Sequence, residues 1–119
     1  MDTIKVFISQ PMRGKTLEEI TQEREKIIET MIEYQDGSAK IEIIDSVFKE
    51  QSTPVNDLGK SLQLLSQADV AIFAEGWENA NGCSIEHLVC EKYDITIGHC
   101  SKTDKGMDIF IMGEPKPLY

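Results

Sequence analysis

The chain has 119 residues, with 12 Lys and Arg set against 21 Asp and Glu, a formal charge of −9 and an isoelectric point near 4.6. A chain of this size suits one domain and can bury roughly two-thirds of its unfolded surface without staples. Its charge repels nucleic-acid polymers and anionic membranes at long range, whereas a small anion held by a few local donors remains open to it.

Ile4 to Ser9 (IKVFIS) is a compact apolar run that predicts a strand buried on both faces, ended by a Pro-Met-Arg-Gly loop. Thr16-Leu-Glu-Glu19 has the form of a capping box, and Leu17, Ile20, Ile27, Ile28, Met31 and Ile32 continue it as a helical stripe to about Tyr34. Gln35 to Ser38 breaks that helix, and Ile41 to Asp45 (IEIID) predicts a second strand. Gln51 to Asp57 reads as a polar loop before a helix carrying Leu58, Leu62, Leu64 and Leu65. Asp69 to Ala74 (DVAIFA) predicts a third strand, followed by the loop GWENANG and a helix from Cys83 to about Lys92. Asp94 to Ile97 predicts a weaker fourth strand, Ser101 to Gly106 an exposed turn, and Asp108 to Met112 (DIFIM) a fifth strand before the tail Glu114 to Tyr119. Strands alternating with helices predict one Rossmann-like α/β domain over residues 1–119. The expected form is a doubly wound three-layer sandwich around a parallel five-stranded sheet of order 2-1-3-4-5.

In such a sheet the loops leaving strands one and three flank a crevice, the usual ligand site. Those loops are Ser9 to Thr16 and Ala74 to Gly82, and each leads to a helix N-terminus that favours an anion or a polarised oxygen. The first offers Ser9, Gln10, Pro11 and Met12, then Arg13, Gly14 and Lys15, whose two cations and one amide suit a phosphate or simply solvate the surface. The second offers Gly76 and Trp77, whose ring can stack a base or sugar or else pack the loop onto the core. Asn79 and Asn81 can bind hydroxyls or make turn hydrogen bonds, and Gly82 lets the backbone approach a ligand. Glu86, placed in the first turn of the third helix, either serves the crevice as a carboxylate acceptor or nucleophile, or stabilises the helix dipole.

Cys83, His87 and Cys90 recur at helical offsets of four and three and share one face, with His99 or Cys100 as conceivable further ligands. They lack a C-x-x-C pair, and cysteine is often a small buried residue, so no metal is expected; a thiolate nucleophile at Cys83 is the other chemical reading of that position. Three cysteines in a chain that needs no staple point to reduced thiols and a cytoplasmic setting. Met1 to Lys5 lead directly into the first strand, so no secretion signal is expected, and no apolar run reaches membrane-spanning length.

VFISQPMRG (6–14), LLSQADVAIFAEGW (64–77) and NGCSIEHLVC (81–90) together resemble the nucleoside 2-deoxyribosyltransferase-like superfamily. The likeness is greatest to its short, largely uncharacterised bacterial and phage members, and it covers nearly the whole chain. It implies a flavodoxin-like sheet, a nucleoside or nucleotide in the crevice, homo-oligomers whose subunits complete one another's sites, and no metal or organic cofactor. It also implies a catalytic glutamate at Glu86 that attacks C1′ of the sugar. Three positions depart from the family pattern. Its strand-one tyrosine corresponds to Phe7, the aspartate that helps protonate the departing base corresponds to Ser61, and the Asp or Ser that meets sugar or phosphate corresponds to Ala80. General acid assistance alone contributes ~10²–10⁴-fold, so ordinary transfer should be crippled while the binding parts persist. The expected function is therefore binding of a nucleoside- or nucleotide-derived small molecule with little or no turnover, sequestering a metabolite or signal, for example one of phage defence. The alternative is an N-glycosidase or deoxyribosyltransferase that keeps Glu86 as nucleophile. The tail Pro115 to Tyr119 is expected to reach a neighbouring subunit, on the same resemblance.

Overall fold

The structure is a computed structural model and describes residues 3–35, 37, 39–46, 53–104 and 106–112. Phe48, residues 36 and 38 of the expected break, the start of the loop at 51–52 and the C-terminal tail lie outside the described residues. The elements run β1 (Thr3–Ser9), α1 (Leu17–Gln35), β2 (Lys40–Ile43), α2 (Pro54–Leu65), β3 (Val70–Phe73), a single 3₁₀ turn (Trp77–Asn79), α3 (Asn81–Lys92), β4 (Thr96–Thr103) and β5 (Gly106–Met112). They build one five-stranded sheet of order β2-β1-β3-β4-β5, the order expected. No described helix is long and apolar enough to cross a membrane.

β1 is the hinge of the sheet, paired in parallel with β2 on one side and β3 on the other. Its alternation sends Val6 and Ile8 to one face and Phe7 to the other, which explains why three consecutive residues are apolar. Val6 and Ile8 join Ile72, Ala74 and Cys100 under Ile27 and Met31 of α1. Phe7 joins Ala71, Phe73 and Ile97 under Leu65 of α2 and Cys90 of α3. Helices thus cover both faces, giving the three layers. α1 starts at the capping box read from the sequence: the Thr16 amide donates to Glu19 Oε1 (3.0 Å) and the Glu19 amide donates to Thr16 Oγ1 (3.1 Å). α2 is capped by Thr53, whose side chain accepts from the Asn56 amide, with Pro54 at its first turn.

The sheet is mixed, not wholly parallel: β5 runs antiparallel to β4. Only residues 104 and 105 separate the two strands, whereas a parallel return needs a crossover of about a dozen residues or more. β4 is also longer than the expected Asp94–Ile97 strand and takes in the first half of the stretch expected to be a turn, leaving the reversal to residues 104 and 105. Its outer residues Ser101, Lys102 and Thr103 are exposed, so they lack the apolar signature of a strand and are held by the ladder to β5 instead. Gly98 sits where β4 passes closest to the core, since a Cβ there would lie 2.5 Å from Ile72 Cδ1 and 2.7 Å from Ile111 Cδ1. The remaining strand and helix boundaries differ from expectation by about two residues or fewer, except at the start of α2, where the turn begins at Pro54 within the expected loop.

Ile27 is fully buried between α1 and the sheet. Ile27→Ala should lower unfolding free energy by about 2–5 kcal/mol, read as a shifted denaturant midpoint with an unchanged slope.

Candidate functional site

β1 and β3 are neighbours at the point where the strand order reverses, and their loops leave toward opposite faces. The crevice between them is a cleft of about 820 Å³. Residues 7–13, the end of β1 and the loop that follows it, form one wall and residues 76 and 79–83 after β3 form another; Gly76 brings the two loops together, its φ of 90° placing a would-be Cβ 3.7 Å from Pro11 Cγ. A third wall comes from α2, through Pro54, Asp57, Leu58 and Ser61.

Glu86 points inward among these walls and is only 6% exposed. It is the sixth residue of α3, because that helix begins at Asn81, two residues before the expected start, and Glu86 therefore lies beyond the first turn. Dipole stabilisation, which fades past the first turn, does not account for its position. The Ser9 hydroxyl, at the last residue of β1, donates to Glu86 Oε1 at 2.7 Å. Burial pushes the Glu86 carboxyl above the usual glutamate range, opposed by hydrogen bonding from the Ser9 and Ser61 hydroxyls. Cys83, one turn earlier on α3, is a protonated thiol pushed up to about 11 by its burial, which runs against a thiolate nucleophile at this position.

Of the residues expected in the crevice, Ser9, Gln10, Pro11, Met12, Arg13, Ser61, Gly76, Asn79, Asn81, Gly82 and Cys83 line the cleft together with Glu86. Gly14, Lys15 and Trp77 do not. Gly14 adopts a φ of 79° in the turn closed by the Lys15 amide on the Met12 carbonyl (3.2 Å), a conformation glycine takes without steric cost. Lys15 turns away to pair with Glu23 at 3.4 Å. Gln10 also reaches toward α1, donating from Nε2 to the Ile20 carbonyl and to Glu23 Oε1, which leaves its buried Oε1 unmatched among the described residues. Nor does the N-terminus of α1 form a wall, as its cap turns inward on Thr16 and Glu19; α2 takes that place. Asp57, Leu58, Ile8, Ser46 and Pro54 were missed from the sequence. The first two follow from the helical repeat once Ser61 is placed, since residues three and four earlier share its face.

Trp77 packs onto the core and stacks on His87 at 3.9 Å between ring centroids and 5° between planes. His87 Nε2 lies 3.0 Å from His99 Nε2, and His87 Nδ1 lies 2.7 Å from Glu91 Oε1. The two imidazoles are nearly parallel to each other and to the indole. With Glu91 accepting from Nδ1–H, His87 Nε2 is the acceptor for His99 Nε2–H, so both ring nitrogens of His87 are occupied. Cys90 and Cys100 are pushed up to about 12 by burial, and no described His, Cys, Asp and Glu residues form a group that could hold a metal ion.

Compared with family models, curated proteins and solved structures, the chain finds no match.

Two pH dependences follow. Burial and the neighbouring His87 lower the pKa of His99 below the ordinary histidine value, with Glu78 opposing. The neutral His99 ring therefore stabilises the fold above that ordinary value, and this contribution is lost as pH falls through the lowered one. His99→Gln should therefore weaken the loss of unfolding free energy on acidification below about pH 6.5, read from denaturant titrations at a series of pH values. Glu86 has the opposite sign: its raised pKa contributes stability at acid pH that is lost as pH rises through the folded-state value. Glu86→Gln should be at least as stable as wild type near neutrality and show a flatter stability profile above about pH 4 by urea denaturation.

Proposed function

We propose that the cleft binds a nucleoside- or nucleotide-derived small molecule, its sugar lying against Glu86. The observation that carries this reading is a buried carboxyl, held by the Ser9 hydroxyl, at the carboxyl ends of the two strands that flank the cleft. A carboxylate with two serine hydroxyls beside it matches vicinal sugar hydroxyls, which donate and accept in turn. Arg13 and the first amides of α3, which no side chain caps, supply donors for a phosphate or another polarised oxygen. Pro11, Met12, Pro54 and Leu58 offer apolar surface for a base, a task that Trp77 leaves to them. The chain's acidity favours a single nucleotide unit over a polymer. The resemblance to the nucleoside 2-deoxyribosyltransferase-like superfamily supports the same ligand class, and with it a flavodoxin-like domain that acts in the cytoplasm as a homo-oligomer without cofactor. Sequestration of the ligand with little turnover fits the loss of the family's tyrosine and aspartate at Phe7 and Ser61.

A second reading is cleavage of the N-glycosidic bond by Glu86. One observation favours it: the Ser9 hydroxyl orients the carboxylate, a task that Phe7 cannot perform.

Calorimetric titration with nucleosides, nucleoside monophosphates and ADP-ribose-type compounds, with chromatography of free base from the same mixtures, tests both. Saturable binding without product supports the sequestering protein. Base release that vanishes in Glu86→Gln supports cleavage instead. Absence of any binding or product, with Ser9→Ala equally inert, rejects the ligand class.

A further inference from the structure

We infer that the groove between the start of α1 and the β4–β5 hairpin is a second binding site, one that takes a compact oligophosphate such as pyrophosphate. It is a pocket of about 450 Å³, within the range of small-molecule sites, and its lining shares no residue with the cleft. The inference therefore does not depend on the nucleoside reading above.

Charge separates the two openings. The chain carries 12 Lys and Arg against 21 Asp and Glu, and the lining of the cleft follows that excess, with Arg13 set against Asp57 and Glu86. In the second pocket the order is reversed, because Lys15, Lys26 and Lys102 outnumber Glu19 and Glu23. The three lysines come from separate segments: Lys15 from the turn before α1, Lys26 from the middle of α1 and Lys102 from β4. Helical spacing puts Glu19, Glu23 and Lys26 on one face of α1. From there the Lys26 side chain reaches the hairpin, its Cε lying 3.9 Å from where a Cβ would stand on Gly106.

Glu23 organises these cations without exhausting them. Its side chain is only 9% exposed, and its Oε2 has Lys15 Nζ at 3.4 Å and Lys102 Nζ at 4.0 Å. Two ammonium groups thus converge on one carboxylate, whose other oxygen accepts from Gln10 Nε2 at 3.0 Å. Glu19 is committed to its cap, where it accepts from the Thr16 amide. No carboxylate pairs with Lys26 among the described residues. Three like charges around one opening repel one another, and each ammonium carries three donors, more than Glu23 can engage. An anion of two or more charges relieves the repulsion and occupies the donors. Lysine acts on phosphate as a point charge, whereas a planar carboxylate is matched best by a guanidinium fork, which this lining lacks. Linked phosphates are therefore the class that the pocket fits.

The experiment is a calorimetric titration with pyrophosphate at fixed ionic strength, so that general screening stays constant, with amide shifts followed by NMR in the same mixtures. It compares wild type, Lys26→Ala, Lys102→Ala and a charge-matched control, Lys92→Ala at the far end of α3. All three lysines are exposed, so the variants keep the fold. Saturable binding is expected, with shifts concentrated at Lys26, Lys102 and Gly106. Lys26→Ala and Lys102→Ala should each weaken it by ~10-fold or more, as loss of a charged hydrogen bond does, while Lys92→Ala leaves it unchanged. ADP titrated in parallel identifies the source: the same dependence on Lys26 assigns the site to a nucleotide's diphosphate, and its absence assigns it to the free anion. If pyrophosphate binds all four proteins equally, shifts only residues of the cleft, or fails to saturate, the second site is overturned. The nucleoside titrations of the cleft are untouched by that result.

Discussion

The hydrogen bond from Ser9 to Glu86 ties the last residue of the central strand to the second turn of a helix 77 residues further along the chain. Taking a carboxyl out of water costs several kcal/mol unless it is neutralised or hydrogen-bonded. That cost is offset only if β1, β3 and α3 hold their places. The bond therefore demands the β1–β3 register that sets Ser9 beside Phe73, and it demands the early start of α3 that turns Glu86 inward. An ionisable group kept in such a setting, with two serines supporting its charged form, is an expensive arrangement for packing alone. Polar groups of this kind concentrate where a protein handles another molecule.

The second cluster of titratable side chains has a different character. Glu91, His87 and His99 form a line of hydrogen bonds laid flat beneath Trp77, outside the cleft. Because His87 follows Glu86 directly, the stack anchors the same helix from its other side, and the 3₁₀ turn that carries Trp77 also carries Asn79 into the cleft wall. Aromatic contact here fixes the wall, and the wall in turn fixes what the carboxylate faces.

Much of this was legible in the sequence because burial leaves a pattern. VFI in β1 and VAIF in β3 are continuous apolar runs since both faces of the sheet are covered there, and the capping box announced α1 within a residue. Sheet order followed from alternation of strands and helices. The direction of β5 did not, because Ser101 to Thr103 are exposed strand residues whose partners are backbone atoms, and a polar strand edge looks like a loop. Within the cleft, spacing brought the two loops together and turned Glu86 toward them, although Glu86 stands one turn later on α3 than expected. It left open whether Lys15 and Trp77 serve the cleft, and neither does, for a shared reason: each has a partner elsewhere, Glu23 for the lysine and the histidine pair for the tryptophan. The contribution of α2 was invisible until its helical face was known.

The antiparallel turn of β5 has a practical consequence for handling the molecule. Had that strand run with its neighbours, the chain would have emerged beside the cleft. Instead it travels about 20 Å back across the sheet and emerges at the opposite pole. A tether attached beyond Met112 would therefore hold the protein to a sensor surface with its opening facing the analyte stream.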